Sequence, residues 1–194
     1  MDFPSVLDKS NFWGYTNCMM RRGDWTRMES YTCCFTGHRH IPLAHRKPLP
    51  SLLGQMIETL IKRGVTVFRT GGAMGFDTVV ALTVLEKRET YPHIRLELIL
   101  PCRDQAKLWD GFNQKAYTYV LEQADSVSWV REHYAKGCML ERNRQMVRGS
   151  HFCIGYCNTK QGGSAYTLEY AKNHGLRVMN IAPMLPPLTK DMKE

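Results

Sequence analysis

The sequence predicts an α/β domain: a mostly parallel sheet with helices on both faces, preceded by an N-terminal arm. Three observations predict it. From residue 31 onward, short β-branched or aromatic runs alternate five times with stretches of helical apolar spacing. Several of these runs end in glycine or proline, where a strand gives way to a loop. The 194 residues, 43% apolar and 23% charged, have ordinary globular composition and are numerous enough to build one substantial core.

The elements follow in order. YTCCFTG (31–37) is a short apolar run that stops at Gly37. In 50–64 the apolar positions are 52, 53, 56, 57, 60 and 61, a helical spacing, and Gly64 is a helix stop. VTVFRTGG (65–72) is a strand running into glycine, and 76–88 is a helix despite its β-branched content. IRLELILP (94–101) alternates and ends at Pro101. Residues 105–124 read as one helix with Trp109, Phe112, Tyr117, Val120 and Leu121 as its apolar set. Then come a strand at 126–130, a helix at 138–148, a strand at 151–156, a helix at 164–175 and a last strand at 177–181. Right-handed crossovers bring every strand's carboxyl end to one edge, and ligands bind there near the switch in strand order.

Residues 1–30 carry Trp13, Arg21, Arg22, Asp24 and Trp25 without a period and are read as an arm. The domain proper is expected over 31–185, with a tail at 186–194. No apolar run approaches the roughly 18 residues of a membrane helix. The first residues lack a basic segment followed by an apolar stretch, so a cytoplasmic location is expected. Fifteen glycines and nine prolines are too few for a collagen-like or low-complexity chain.

Seven cysteines, at 18, 33, 34, 102, 138, 153 and 157, include no CxxC pair. They are expected as small buried hydrophobes rather than metal ligands or disulfides. His38, His40 and His45 match no zinc spacing, so no metal is expected; His38 is a candidate ligand contact and the other two are loop residues. A formal net charge of +8 favours anionic partners without choosing among them.

Three predicted loops share the carboxyl edge. The first is Thr36-Gly37-His38-Arg39; the second, TGGAMGFD, holds Gly71, Gly72, Gly75 and Asp77; the third is Gln161-Gly162-Gly163-Ser164. The second and third open helices, whose free N–H groups and partial positive charge suit a phosphate. Neither GxxxxGK[ST] nor GxGxxG is present, which argues against a Walker-type site and against ordinary hydride transfer. Met139, Arg142 and Met146 share one helix face, and a guanidinium among apolar neighbours seeks a carboxylate or a phosphate.

Taken together, FTGHR (35–39), TGGAMGFD (70–77), Pro101 with Gln105 and Trp109, ERNRQMV (141–147) and QGGSAYTLEYA (161–171) resemble the YpsA-like group of the SLOG superfamily. That superfamily joins the DNA-processing protein A fold to the "lonely guy" cytokinin-activating enzymes. The resemblance spans about 32–182 and implies a Rossmann-like fold, binding of a nucleoside monophosphate, ADP-ribose or NAD-like ligand, and a homodimer. Phosphoribohydrolase relatives carry a Met-x-Glu-Arg-Lys helix and a PGGxGTxxE loop. Here Asn143 stands in place of the lysine, and Gln161, Ala165 and Tyr166 replace the proline, third glycine and threonine. Arg142 and Glu169 match the pair those enzymes use on an N-glycosidic bond.

Three functions are therefore open. The first is a nucleotide-binding protein that needs no cofactor, in which Arg39 and Arg142 hold phosphate, Asp77 accepts from a ribose hydroxyl, and Trp109 or Tyr166 stacks on a base. The second is a nucleoside 5′-monophosphate phosphoribohydrolase using Arg142 and Glu169. The third is a single-stranded nucleic-acid binder, with basic residues near 21–22, 39–47 and 142–148.

Overall fold

A computed structural model describes residues 30–188. All but Ser30 of the arm read at 1–30, and 189–194 of the tail read at 186–194, lie outside the described residues. Six strands form one sheet: β1 (Tyr31–Gly37), β2 (Val65–Thr70), β3 (Arg95–Cys102), β4 (Ser126–Arg131), β5 (Phe152–Tyr156) and β6 (Arg177–Asn180). Their order is β4-β3-β2-β1-β5-β6, and every pairing is parallel. The chain walks outward from β1 to β4, then crosses back to place β5 on the other side of β1. The switch in strand order thus lies between β1 and β5.

The helices are α1 (Leu43–Arg46), α2 (Pro48–Ile61), α3 (Phe76–Thr90), α4 (Gly111–Gln123), α5 (Cys138–Val147) and α6 (Gly163–Asn173). The helices α2, α3 and α4 cover one face, and α5 and α6 the other. Side chains of each strand alternate between the two cores, as a two-residue period requires. Cys33 and Phe35 point to the larger core and Cys34 to the smaller. Likewise Leu96, Leu98 and Leu100 oppose Ile99, and Phe152, Ile154 and Tyr156 oppose Cys153. The helix α2 buries Leu53, Met56, Ile57, Leu60 and Ile61 of the stripe its spacing predicts, together with Leu49, while Leu52 is half-buried.

Three expectations are corrected. The helix expected over 105–124 begins at Gly111, because the Asp110 carboxylate accepts the N–H groups of Phe112 and Asn113 at 3.1 Å each and so fixes the start. Phe112, expected on the apolar face, is 80% exposed. His45, expected in a loop, is buried on α1: Nδ1 lies 2.6 Å from the Tyr156 hydroxyl and Nε2 lies 2.8 Å from the Pro186 carbonyl oxygen. This bridge ties the chain after β6 to the end of β5. The six described cysteines are buried free thiols.

The contrast between two phenylalanines tests this packing. Phe68 is fully buried in the sheet's centre, so Phe68→Ala is expected to cost about 3–5 kcal/mol in urea unfolding. Phe112→Ala should stay within about 0.5 kcal/mol of the parent.

Candidate functional site

A cavity of about 300 Å³ opens at the β1/β5 switch, at the lower end of the roughly 300–1,000 Å³ usual for small-molecule sites. Four separate segments wall it. Thr36 to Arg39 come from the end of β1 and the loop after it, Ala73 from the β2–α3 connection and Asp77 from the first turn of α3. Met139, Arg142, Asn143 and Met146 come from α5, and Gly163 with Ser164 open α6.

Glycines permit the close approaches. A Cβ on Gly71 would lie 1.2 Å from Arg142 Nη1, so the guanidinium rests against bare backbone. At Gly75, φ is +76° and a Cβ would meet the Arg39 carbonyl oxygen at 2.0 Å, so the first and second loops touch there. Gln105 supports the second loop, donating from Nε2 to the Gly72 carbonyl at 2.9 Å.

Arg142 is the central group. It is 6% exposed, and its Nη1 donates to Asp77 Oδ2 at 3.4 Å. Its Nε is buried without a hydrogen-bond partner. An unsatisfied buried N–H is costly and is the kind of vacancy a ligand oxygen fills. Asp77 is 4% exposed and also accepts the Ala73 N–H at 3.2 Å. Burial pushes its carboxyl above the ordinary carboxylate value, while Arg142 and the loop N–H groups of Ala73 and Gly71 pull it down. Burial likewise lowers the Arg142 guanidinium, against the pull of Asp77. Burial lowers the His38 imidazole too. His38 Nε2 accepts the Asn158 N–H at 3.0 Å, so the ring sits neutral in the first loop. No side chain caps the start of α6, which is set by Gly162 at φ +103°, so its first N–H groups are not taken by a side-chain cap.

The residues singled out in the sequence divide into two sets. Thr36, Gly37, His38, Arg39, Asp77, Arg142, Asn143, Gly163 and Ser164 line the one cavity. Gly71, Gly72, Gly75, Gln105 and Gly162 shape its loops from behind. The rest point elsewhere. Trp109 packs against the core, edge-on to Tyr117 at 5.4 Å between ring centroids. The Tyr166 hydroxyl accepts from Arg144 Nε at 2.8 Å, and its ring stacks on Tyr170. Glu169 is exposed on α6 and is not in the lining. Asp77, although in the lining, is taken by the Ala73 N–H and Arg142. Thr167 escaped sequence reasoning: it accepts from Asn143 Nδ2 at 2.8 Å and donates to the Gly163 carbonyl at 2.7 Å, fixing α5 against the start of α6. Its signal was the position next to the family's threonine.

A cleft of similar size, about 290 Å³, lies between the end of α5 and strands β2 to β4. There Arg69 is satisfied by Glu97 and by the Arg148 carbonyl, and none of the three glycine loops reaches it. Among the described residues no group of three or more His, Cys, Asp or Glu could hold a metal ion, and no helix is long and apolar enough to cross a membrane.

A family model described as the YspA SLOG family (YpsA) matches residues 33–183. The chain belongs to that family. Among relatives of this SLOG protein, a UPF0398 protein of Halalkalibacterium halodurans is 31% identical over 121 residues, covering 61% of this chain and 64% of that one. The chain therefore spans under two thirds of that relative's length. The uncharacterized SPbeta prophage-derived protein YoqJ of Bacillus subtilis is 26% identical over 133 residues, 62% of this chain and 78% of its own. Among solved structures, DNA processing protein A of Helicobacter pylori, described for its mode of binding single-stranded DNA, aligns with a TM-score of 0.58 at 20% identity. That alignment covers 80% of this chain and 67% of the other. DNA processing protein A of Streptococcus pneumoniae also gives 0.58, at 18% identity over 78% of this chain and 50% of its own. These structural likenesses show the shared Rossmann-like fold.

The close approach at Gly71 generates a prediction. Gly71→Ala must displace the Arg142 guanidinium from its resting place and from Asp77. It is expected to cost about 1–3 kcal/mol in denaturant unfolding.

Proposed function

We propose that this SLOG-family protein binds a phosphorylated nucleotide derivative, of the nucleoside monophosphate, ADP-ribose or NAD-like class, at the carboxyl edge of its sheet. One observation carries the proposal: the buried, unpartnered Nε of Arg142 in the wall of a cavity that the start of α6 also lines. In this reading Arg142 donates to a phosphate oxygen through a charge-assisted hydrogen bond. The α6 N–H groups near Gly163 and Ser164 hold the same phosphate, as helix N-termini do for anions. Arg39, exposed at the cavity mouth, adds a second charge. Met139 and Met146 offer an apolar, adaptable surface to a base or sugar.

We propose binding rather than hydrolysis. The hydrolase mechanism needs Glu169 beside Arg142, whereas Glu169 is exposed and outside the cavity lining. The nucleic-acid reading draws on the DNA-binding description of the Helicobacter protein, and its signature would be a steep loss of affinity with salt.

Titration calorimetry with AMP, ADP-ribose and NAD tests the proposal. Saturable sub-millimolar binding by at least one of them is expected, and Arg142→Ala should weaken it on the order of tenfold or more. No saturable binding by any of the three would overturn it. Tight, steeply salt-dependent binding of a single-stranded oligonucleotide alone would replace it with the nucleic-acid reading.

A further inference from the structure

We infer that Asp77 makes this cavity selective for phosphate groups bearing a single negative charge, such as phosphodiesters and diphosphate bridges, over terminal dianionic monoesters. This inference rests on the nucleotide reading above and deepens it by naming the ligand class.

The charges facing the cavity are few. Arg39 comes from the first loop, Asp77 from α3 and Arg142 from α5. The remaining titratable group in the lining is the neutral His38 ring. Glu141, also on α5, is exposed and held by Arg131 at 2.8 Å, and Glu169 on α6 lies outside the lining. Two guanidiniums against one carboxylate leave one net positive charge. The α6 N-terminus adds about half a charge more.

Asp77 cannot be ignored by a ligand. Its carboxylate is 4% exposed, and it is anchored both to the Ala73 N–H and to the same Arg142 that lines the cavity. Swinging away would strand the guanidinium. Any phosphate placed on Arg142 therefore shares that arginine with a fixed negative neighbour.

A singly charged phosphate is matched by this set. A monoester carries about two negative charges once pH exceeds its second pKa near 6. The second charge must leave water although no full positive charge remains to receive it, and it also faces the Asp77 carboxylate. At the effective dielectric of such a site a unit charge a few ångströms away changes affinity by about tenfold or more.

The test pairs each common ribonucleoside 5′-monophosphate with its own monomethyl ester, which has the same base and sugar and one charge fewer. Calorimetry on the native protein at about pH 7.5 should show the ester binding about tenfold tighter, and the gap should close near pH 5.5, where the monoester gains a proton. Near pH 5.5 both ligands carry one charge, so any charge on His38 there acts on both alike. Asp77→Asn, which keeps an oxygen for the Ala73 N–H, should close the gap at the higher pH. Equal or tighter binding of the monoester at the higher pH, or a gap that does not change with pH, overturns the inference and leaves the nucleotide reading intact. Failure of every ester and every monoester, and of ADP-ribose and NAD, to bind at either pH removes the nucleotide reading itself.

Discussion

Placing a guanidinium out of water is expensive unless its charge is countered and its N–H groups are matched. Arg142 sits 6% exposed between two methionines of the same helix, and only part of that requirement is met from within the chain. Asp77 counters the charge through a rather long 3.4 Å contact, and Nε is left without a partner. The surroundings answer to this side chain. Gly71 is bare so that the guanidinium can lie against backbone, and Asp77 turns inward to meet it rather than outward to cap α3. A buried arginine matched only in part is a poor stabiliser of a fold. It makes better sense as half of an interaction whose other half is a ligand.

The parallel sheet explains why such a site exists at one place. The strand order reverses between β1 and β5, so the loops leaving these strands diverge and a crevice opens above them. The segments 36–39, 73–77, 139–146 and 163–164 are far apart in the chain, yet right-handed crossovers bring them to the same edge. The helix faces are unequal. The larger core lies under α2, α3 and α4, and the smaller under α5 and α6, the two helices that also wall the cavity. The helices over the smaller core thus supply Arg142, Asn143, Gly163 and Ser164 to the cavity wall, and β1 with the loop after it and α3 supply Thr36 to Arg39 and Asp77.

Much of the fold is legible in the sequence, and the reasons differ by element. The strands were clear because β-branched and aromatic runs end at glycine or proline, and β1 spans the residues expected of it. The start of α4 was misplaced because apolar periodicity at 105–110 resembles helix, while Asp110 decides the boundary through its own hydrogen bonds. Phe112 followed the same periodicity and is nonetheless exposed, since spacing says which residues share a face but not whether anything covers it. His45 was invisible as a core residue because its partners, Tyr156 and the Pro186 carbonyl, lie more than a hundred positions away.

The cavity wall gathers main-chain positions that the sequence singles out, as at Gly37, Gly163 and Ser164. The sequence is less informative where a side chain's direction matters: Trp109 faces the core, Tyr166 and Tyr170 stack on one another, and Glu169 is exposed. Those directions follow from helix phase, which shifts with a single residue of uncertainty in where a helix begins. On the proposed function, Arg142 and the start of α6 together hold a phosphate. A crystal structure of the protein soaked with ADP-ribose tests this most directly. It should show a phosphate oxygen within hydrogen-bond distance of Arg142 Nε and of the main-chain N–H groups near Gly163 and Ser164. Ligand density seated elsewhere, with Arg142 Nε still unpartnered, would contradict it.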